Sequence, residues 1–469
     1  MSSKEGFMNH TKEQANHHIK NEKDSVNKKQ RHLFHLMPEI GWMNDPNGVV
    51  YFKGYYHLFY QFYPYDAKWG AMHWGHARTK DFMSYEHLPV ALAPDLDHED
   101  GCFSGGATVY DNKLLLMYTS HYQKAYQKQE QSLAISKDGI TFEKVNNKPV
   151  ITIEDLPTDA SKTDFRDPNP IEIDQKHFVL IGSSDLQNKG QILIYQTEDF
   201  KTYTYLNAIK HPLFGDIAEC PDLFELDGKH VLLFSSTNLK ECDGRFKNVN
   251  SSLYAIGSFD SNKGEFKFEH VDELDAGHHY YAPQTLKDDS NRRISIAWME
   301  MWGKDYYTAI NNHKWTGALT LPRTLNIVNH KLIQTPAFLE NLTYLNERKV
   351  TNQALETKKH FHLSGVTDTK EALEVIIGDE DDFVSLRINC QNVTLDTSHT
   401  KLFPLESRSV AHQLELVSFD LIMDNSSLEL FIKDLDKTIT TRVYFDKEEL
   451  NIKMNQTSSN EIVIKELSL

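Results

Sequence analysis

The sequence predicts an all-β protein, a five-bladed β-propeller followed by a C-terminal β-sandwich. The first observation is a repeat in which a turn with an acid, a proline or a glycine pair leads into an apolar hairpin. These turns lie near residues 45, 104, 167, 219 and 282, between 52 and 63 residues apart. Such a period, with two to four strands per unit, is typical of a β-propeller. The second observation is that these motifs stop near residue 338, where short strands alternate with polar turns.

The first repeat begins with the segment Trp42–Gly48, which contains Asp45 and two asparagines within seven residues. Pro46 and Gly48 favour a turn over a helix. The aromatic runs that follow, 49–52 and 55–60, predict a hairpin. Asp45 is therefore expected on a constrained backbone at the edge of a sheet, which is a suitable position for a catalytic group.

Four more motifs each lead into a strand, a polar turn and a second strand. Weaker strand pairs between the motifs, such as 132–136 with 141–145 and 192–196 with 203–206, would supply the outer strands of each blade. The four motifs are Phe103-Ser104-Gly105-Gly106, Arg166-Asp167-Pro168, Glu219-Cys220-Pro221-Asp222 and Tyr281-Ala282-Pro283-Gln284.

Equivalent positions of successive blades converge on the axis of a propeller. Asp45, Asp167 and Glu219 occupy such positions, so they are expected to meet in one axial pocket. Like charges at close range raise the pKa of at least one carboxyl, which then can act as an acid near neutral pH. Three such carboxyls in an aromatic pocket suit glycoside hydrolysis.

Three segments follow from this organisation. Residues 1–30 are polar and are expected to be a disordered or loosely attached arm, residues 31–338 the propeller, and residues 339–469 a linker and the sandwich. Within the linker, Ala337–Arg348 is interpreted as a short helix. The sandwich lacks acid-plus-proline turns, so support or dimerisation is its expected role.

Composition excludes several classes of function. The formal net charge of −17 argues against nucleic-acid and anionic-membrane partners. No apolar run approaches the roughly 18 residues of a membrane span, and no secretory signal is recognisable. Four cysteines without a disulfide pattern suit a reducing compartment, so a cytoplasmic location is expected. No cofactor motif occurs, and His73 and His76 are interpreted as packing residues rather than metal ligands.

Aromatic faces can stack on sugar rings, and polar side chains can bind sugar hydroxyls. The candidate substrate-binding residues therefore lie in or near the blade starts: Trp42, Met43, Asn44, Gln61, Trp69, Phe103, Ser104, Arg166, Tyr281 and Trp302.

The five motifs, in this order, resemble the motif series of glycoside hydrolase family 32, which includes invertases, fructanases and sucrose-6-phosphate hydrolases. The resemblance covers about residues 31–330 and implies a five-bladed propeller with a C-terminal sandwich. It implies Asp45 as nucleophile, Glu219 as acid/base and Asp167 as transition-state stabiliser. Cys220 would then tune the pKa of Glu219. Three positions depart from the family's usual residues, namely Gly106, Asn169 and Pro170.

Two segments, Trp69–Asp95 and Gly277–Tyr281, are similar to those of bacterial sucrose-6-phosphate hydrolases. The resemblance therefore implies retaining hydrolysis of the β-fructofuranosyl bond of sucrose 6-phosphate, and of sucrose. Lys68, His278 and His279 are candidate phosphate contacts. The alternatives are an intracellular invertase or fructo-oligosaccharide hydrolase without phosphate preference, and a sugar-binding propeller that has lost catalysis. The expected partner is the small sugar substrate, and a homodimer is left open.

Overall fold

A computed structural model describes residues 11–123, 128–433, 435–454 and 461–469. Antiparallel β-sheets form most of this part of the chain, which confirms the all-β prediction. No helix in the described ranges is long and apolar enough to cross a membrane.

Five successive sheets occupy the chain up to Pro336, and each is a meander of four antiparallel strands. The short strand β19 lies in the chain segment of the fifth sheet but pairs in parallel with the first strand of the first sheet. The bounds are β1 Gly41–Phe52, β2 Tyr55–Tyr63, β3 His73–Thr79, β4 Glu86–Leu92; β5 Gly101–Tyr110, β6 Lys113–Tyr122, β7 Lys128–Ser136, β8 Glu143–Lys144; β9 Ala160–Ile173, β10 Lys176–Asp185, β11 Gly190–Thr197, β12 Thr204–Lys210; β13 Ala218–Leu226, β14 Lys229–Thr237, β15 Asn250–Asp260, β16 Glu265–Glu273; and β17 Tyr281–Lys287, β18 Arg293–Trp298, β19 Trp315–Thr316, β20 Arg323–Val328, β21 Lys331–Pro336.

The first strand of each sheet contacts the first strand of the next sheet. These contacts run from β1 through β5, β9 and β13 to β17, and β17 in turn contacts β1. The first strands therefore form a continuous circuit. The motifs predicted from the sequence all lie on these five strands.

Each of the five first strands departs from regular pairing at its predicted motif. The register shifts fall after Met43, Phe103, Arg166, Glu219 and Tyr281. At three of the motifs, the residue directly after the start of the shift has a left-handed backbone, with φ of +62° at Asp167, +48° at Cys220 and +50° at Ala282. A β-bulge bends its strand and redirects a side chain. Five bulges at matching places therefore turn the motif side chains towards the centre of the circuit.

Two six-stranded antiparallel sheets form the C-terminal part of the chain. They enclose one apolar core built from alternating side chains of both sheets, as in a β-sandwich. The first sheet has the order β22-β33-β24-β29-β30-β31 and the second the order β23-β32-β25-β26-β27-β28. The bounds are β22 Thr343–Lys349, β23 Leu355–Lys358, β24 His360–Asp368, β25 Leu373–Asp379, β26 Asp382–Ile388, β27 Asn392–Asp396, β28 Arg408–Ala411, β29 Leu416–Asp424, β30 Ser427–Ile432, β31 Thr438–Arg442, β32 Glu449–Met454 and β33 Glu461–Ser468.

The predicted helix at Ala337–Arg348 is wrong. A single 3₁₀ turn at Leu339–Asn341 precedes β22, which pairs with the C-terminal strand β33. Helix-forming residues such as those in 344–348 give only a weak local preference, and pairing with a distant strand overrides it.

The expectation of a loose N-terminal arm does not hold for residues 11–30. Helix α1, Lys12–Glu22, begins with a capping box at Thr11 and buries Ala15 completely. Its residue Asn16 accepts a hydrogen bond from the backbone N–H of Val90 at 2.9 Å. Residues 1–10 lie outside the described residues. Other short helices are Lys23–Ser25, Ile153–Asp155, Pro212–Phe214 and α2 Tyr307–Ile310.

Buried charges join the fifth sheet to the sandwich. Arg323 on β20 donates to Asp275 at 3.2 Å and to Glu429 on β30 at 2.7 Å, with all three side chains buried. The other oxygen of Glu429 lies 2.9 Å from His35 Nε2, and His35 Nδ1 lies 2.7 Å from Asp424. Buried charges are tolerated when they are paired in this way, whereas removal of one partner is costly.

The contacts of His35 with Asp424 and Glu429 make the stability of the fold depend on pH. Burial alone lowers the pKa of His35, but its hydrogen bonds to Asp424 and Glu429 raise it to about 9. A raised folded-state pKa gives stability that is complete below the ordinary value of 6.5 and is lost as pH rises through about 9. We expect the melting temperature to fall between pH 6.5 and 9.5, and His35→Gln to reduce that fall while lowering stability at pH 6.5. The exposed His17→Gln is the control, and an unchanged pH slope in the His35 variant would contradict the assignment.

Candidate active site

A cavity of about 510 Å³ opens where the bulged motifs meet. Its volume is in the range of pockets that bind small molecules. Ten of the predicted site residues line it: Asn44, Asp45, Gln61, Trp69, Phe103, Ser104, Arg166, Asp167, Glu219 and Trp302. The lining thus combines three aromatic side chains with four of the polar groups expected to bind a sugar.

Four other predicted residues lie behind this lining. Trp42 donates from Nε1 to Asn44 Oδ1 at 2.7 Å, and Tyr281 donates from its hydroxyl to Glu219. Met43 is fully buried and packs in a core cluster, so it does not line the cavity as a substrate contact. Alternation of side chains along β1 explains this, because neighbours of Met43 point to the opposite face. Cys220 is also buried.

Asp45 is a buried carboxyl with one uncommitted oxygen. Its Oδ2 accepts a hydrogen bond from Ser104 Oγ at 2.9 Å, whereas Oδ1 has no hydrogen-bond partner among the described residues. Burial, and then the negative charges of Asp167 and Glu219, raise the pKa of Asp45 to about 7. Near neutral pH this group therefore exists in both protonated and ionised forms.

Asp167 is fixed by hydrogen bonds on both sides. Its backbone N–H donates to Thr119 Oγ1 at 2.9 Å, and its Oδ2 accepts from the backbone N–H of Cys220 at 3.0 Å. Burial and the charge of Glu219 raise the pKa of Asp167 to about 6, although Arg166 opposes this. The thiol of Cys220 lies 3.6 Å from Asp167 Oδ2. The thiol thus contacts Asp167, whereas the resemblance implied that it tunes Glu219.

Glu219 is held by an arginine and a tyrosine. Arg166 donates to Glu219 Oε1 from Nε at 3.1 Å and from Nη2 at 2.8 Å. Tyr281 donates to the other oxygen, Oε2. This arrangement orients the carboxyl and partly compensates the crowding of negative charge.

Five further lining residues were missed by the sequence reasoning: His121, Gln123, Gln129, Thr163 and Asp164. Asp164 and Gln129 accept hydrogen bonds from Arg166 Nη1 at 3.0 and 3.3 Å. His121 stacks on Phe103 with ring centroids 4.1 Å apart. A signal existed for Asp164, since it lies two residues before Arg166 and faces the same side of a strand. None existed for Gln129 or His121, which lie outside the repeated motifs.

Two of the positions that depart from the family's usual residues, Gly106 and Asn169, complement each other. A Cβ atom at Gly106 would lie 2.4 Å from Asn169 Oδ1, so the position of Asn169 requires glycine there. Asn169 in turn donates from Nδ2 to the carbonyl of Pro221 at 3.0 Å. Asn169 therefore packs against the second sheet at Gly106 and joins the third sheet to the fourth through its hydrogen bond.

The predicted packing roles of His73 and His76 agree with their contacts. His73 Nδ1 lies 2.8 Å from the carbonyl of Ala71, and His76 Nε2 lies 3.0 Å from His57 Nδ1. Both side chains are buried.

Away from the cavity, the side chains of His270, Asp272 and Asp436 lie close enough together to hold a metal ion. Lys437 lies 2.9 Å from Asp272 and Lys331 lies 3.0 Å from Asp436. These lysines already neutralise both carboxylates, so the group is an ion-pair network.

The chemistry open to this cavity follows from its carboxyls. One ionised carboxylate and one protonated carboxyl that face the same bound sugar can cleave a glycosidic bond. The raised pKa values of Asp45 and Asp167 provide a shared proton near neutral pH.

Comparison with known families matches nearly the whole chain. "Glycosyl hydrolases family 32 N-terminal domain" matches residues 35–336, and "Glycosyl hydrolases family 32 C terminal" matches residues 342–469. A sucrose-6-phosphate hydrolase of Bacillus subtilis is 33% identical over 442 residues, which is 88% of this chain and 89% of that protein. A raffinose invertase of Escherichia coli is 33% identical over 447 residues, with 88% and 89% covered.

Solved structures give the same picture. A family 32 β-fructofuranosidase of Bombyx mori superposes with a TM-score of 0.88 at 31% identity and covers 97% of this chain and 98% of its own. A mutant of that enzyme was solved in complex with sucrose. A sucrose-6-phosphate hydrolase of Lactobacillus gasseri shares the fold, with a TM-score of 0.87 at 24% identity over 98% and 99% of the two chains.

The crowded carboxyls predict a cost in stability. Because the folded-state pKa of Asp45 is raised from 3.8 to about 7, its ionisation destabilises the fold progressively between these pH values. We expect Asp45→Asn to raise the free energy of unfolding at pH 8 by about 1–3 kcal/mol, and by less at pH 4. Thermal melts at both pH values test this, with the exposed Asp97→Asn as control. A variant that is less stable than the wild type at pH 8 would contradict the assigned electrostatics.

Proposed function

This chain belongs to glycosyl hydrolase family 32, and we propose that it is a retaining β-fructofuranosidase. Its substrates would be sucrose 6-phosphate, which gives fructose and glucose 6-phosphate, and sucrose, which gives fructose and glucose. The observation that carries this proposal is the shared cavity of Asp45, Asp167 and Glu219 in a chain that matches both domains of the family. The family match supports the reaction class. The cavity supports the assignment of the reacting groups.

In the proposed first step, Asp45 attacks C2 of the fructosyl unit while Glu219 protonates the departing glucosyl oxygen. The uncommitted Oδ1 of Asp45 supports the first role. Asp167 binds fructose hydroxyls and stabilises the oxocarbenium-like transition state. In the second step, Glu219 deprotonates a water molecule that releases fructose from Asp45. Retention requires the carboxyls of Asp45 and Glu219 about 5–5.5 Å apart.

The proton needed in the first step is shared among coupled groups. Burial and like charges favour the protonated form of Asp45. In the reactive form Asp45 is ionised and the proton lies on Glu219, the proposed acid. Interacting carboxyls titrate as a set, so the proton can pass between them within the cavity.

We further propose that the five sheets are the blades of a five-bladed propeller over residues 31–338, and that residues 339–469 form the linker and sandwich. The circuit of contacts among the first strands supports the ring. The parallel pairing of β19 with β1 would fasten the last blade to the first. The cytoplasmic location and the homodimer stay predictions.

Two observations bear on the substrate. Relatives named as sucrose-6-phosphate hydrolases support the phosphorylated disaccharide. The raffinose invertase, which is equally similar, supports the alternative of an invertase or fructo-oligosaccharide hydrolase without phosphate preference. A sugar-binding propeller without catalysis is the weakest alternative, because all three carboxyls are kept in the cavity.

The direct test is release of fructose from sucrose 6-phosphate and from sucrose by the purified protein. We expect turnover of both, and a loss of about 3–4 orders of magnitude in kcat for Asp45→Asn, since an amide at this position cannot form the covalent ester intermediate. Asp97→Asn, which changes the same charge outside the cavity, should keep wild-type turnover. If Asp45→Asn retains most of its activity, Asp45 is not the nucleophile; if the wild type releases no fructose, the proposed function is wrong.

A further inference from the structure

A group of cationic side chains lies beside the active-site cavity, where loops of the fourth and fifth sheets meet the sandwich. This group, the basic recess, consists of Lys247, His278, Lys304 and Arg408. Lys247 belongs to the loop between β14 and β15, Lys304 to the loop after β18, and Arg408 to the first position of β28. Sequence patterns gave no reason to connect these residues, because they come from four distant segments.

The recess borders the cavity through Trp302. Trp302 lines the cavity, and Lys304 follows it after the exposed Gly303, whose φ is +78°. Two residues span at most about 7 Å, so Lys304 cannot lie far from the cavity rim. A Cβ atom at Gly303 would lie 4.0 Å from Val249, which places this loop against the loop that contains Lys247.

Two buried side chains of the recess have uncommitted nitrogen atoms. Arg408 is 2% exposed and donates from Nη2 to Asn248 at 2.9 Å, but its Nε has no hydrogen-bond partner among the described residues. Its Nη1 lies 2.9 Å from Glu406, whose side chain is 70% exposed and can turn to solvent. His278 is also 2% exposed, and its Nε2 has no partner in the described ranges. Buried polar atoms of this kind point to a missing ligand or water.

The charges of the recess repel each other. Burial, and then Arg408, lower the pKa of Lys304 to about 8, although Glu406 opposes this. Burial, and then Arg408, Lys304 and Lys247, also lower the pKa of His278. An anion bound among these groups would relieve the repulsion.

Acidic residues near the recess only partly neutralise it. Glu406, Glu273 and Glu241 act on Arg408. Burial raises the pKa of Glu273 to about 7, so this carboxyl carries only part of a negative charge at neutral pH. Glu241 is exposed to solvent, which screens its charge.

The main cavity itself is unsuited to a phosphate. Asp45, Asp164, Asp167 and Glu219 line it together with one cation, Arg166, which is already bound to Asp164 and Glu219. A phosphate monoester carries a charge of about −1.5 to −2 and would be repelled by these carboxylates. Cations for a phosphorylated sugar must therefore lie at the rim of the cavity.

We propose that Lys247, His278, Lys304 and Arg408 form the subsite for the phosphate group of a phosphorylated leaving-group sugar. This inference rests on the proposed function and assigns its preference for a phosphorylated substrate to residues. Arg408 supplies directed N–H donors, the lysines supply compact positive charges, and neutral His278 supplies one ring N–H. The sandwich then contributes Arg408 to substrate selection.

The other candidate phosphate contacts differ in position. His279 is fully buried, and its Nδ1 accepts a hydrogen bond from the backbone N–H of Arg442 at 2.8 Å. Its Nδ1 is thus occupied by the backbone, and His279 is not included in the recess. Lys68 is exposed next to Trp69, which lines the cavity, so it provides a rival that the experiment must separate.

The test compares kcat/KM for sucrose 6-phosphate and for sucrose in Lys304→Met and Lys247→Met. We expect each variant to lose about tenfold on sucrose 6-phosphate and to stay within about twofold of the wild type on sucrose. Arg408→Lys should give a similar selective loss while keeping the buried charge. Lys210→Met, on the outer strand β12, is the matched control. Equal losses on both substrates, no phosphate preference in the wild type, or a selective loss in Lys68→Met with none in Lys304→Met would overturn the proposal.

A second readout separates this proposal from the proposed function. Glucose 6-phosphate should raise the melting temperature of the wild type more than glucose does, and this difference should disappear in Lys304→Met. The result is informative even if no sugar is hydrolysed. Inorganic phosphate serves as the third ligand: stabilisation by phosphate that persists in Lys304→Met would identify a different anion site and contradict the assignment.

Discussion

Repulsion among buried carboxyl groups is the constraint on which this structure depends. Asp45, Asp167 and Glu219 share one cavity in which Arg166 is the lining cation, and burial raises the pKa of the two aspartates. Such an arrangement persists only when the surrounding backbone leaves the carboxyls no alternative. The bulges at the starts of the first strands provide this restraint, since β9 and β13 pair with β10 and β14 before and after the left-handed residues Asp167 and Cys220. Stability is therefore sacrificed locally for a set of acids that can share a proton.

The fold was predictable where local sequence and tertiary pairing agree. Each motif joins a constrained turn to a hairpin, and the repeat of that unit predicted the succession of sheets. Prediction failed where long-range contacts decide, as at Thr343–Lys349, which is a strand because β33 lies beside it. It also failed at Lys12–Glu22, whose polar sequence hides a single buried face at Ala15. The local sequence reveals neither the pairing with β33 nor the burial of Ala15.

The site was predictable to the same extent. The repeat identified the three acids and four more lining residues, because these residues lie in the motifs: Asn44, Phe103, Ser104 and Arg166. It could not identify Gln129, which bonds Arg166 from β7, or the basic recess, which four separate segments build. Met43 was included because it lies within a motif, but the alternation of strand side chains buries it. Membership of a motif thus predicts proximity to the site rather than contact with the substrate.

The sandwich has more than a supporting role in this account. Glu429 and Asp424 fix the chain at His35 and Arg323 through buried ion pairs. Arg408 of the proposed phosphate subsite donates a hydrogen bond to Asn248 in the loop between β14 and β15. In the proposed subsite, both parts of the chain contribute residues to substrate binding. The position of the recess depends on the junction that these buried ion pairs form between the fifth sheet and the sandwich.

The most direct measurement is the identification of the covalent intermediate. Glu219→Gln removes the base that activates water in the second step, so a fructosyl group supplied by an activated aryl β-fructofuranoside should accumulate on the enzyme. Peptide mass spectrometry after a rapid acid quench is predicted to find one fructosyl group esterified to Asp45. A label on Asp167 or another residue, or no label while the aryl group is released in a burst, would contradict the claim that the converging strands present Asp45 as the nucleophile.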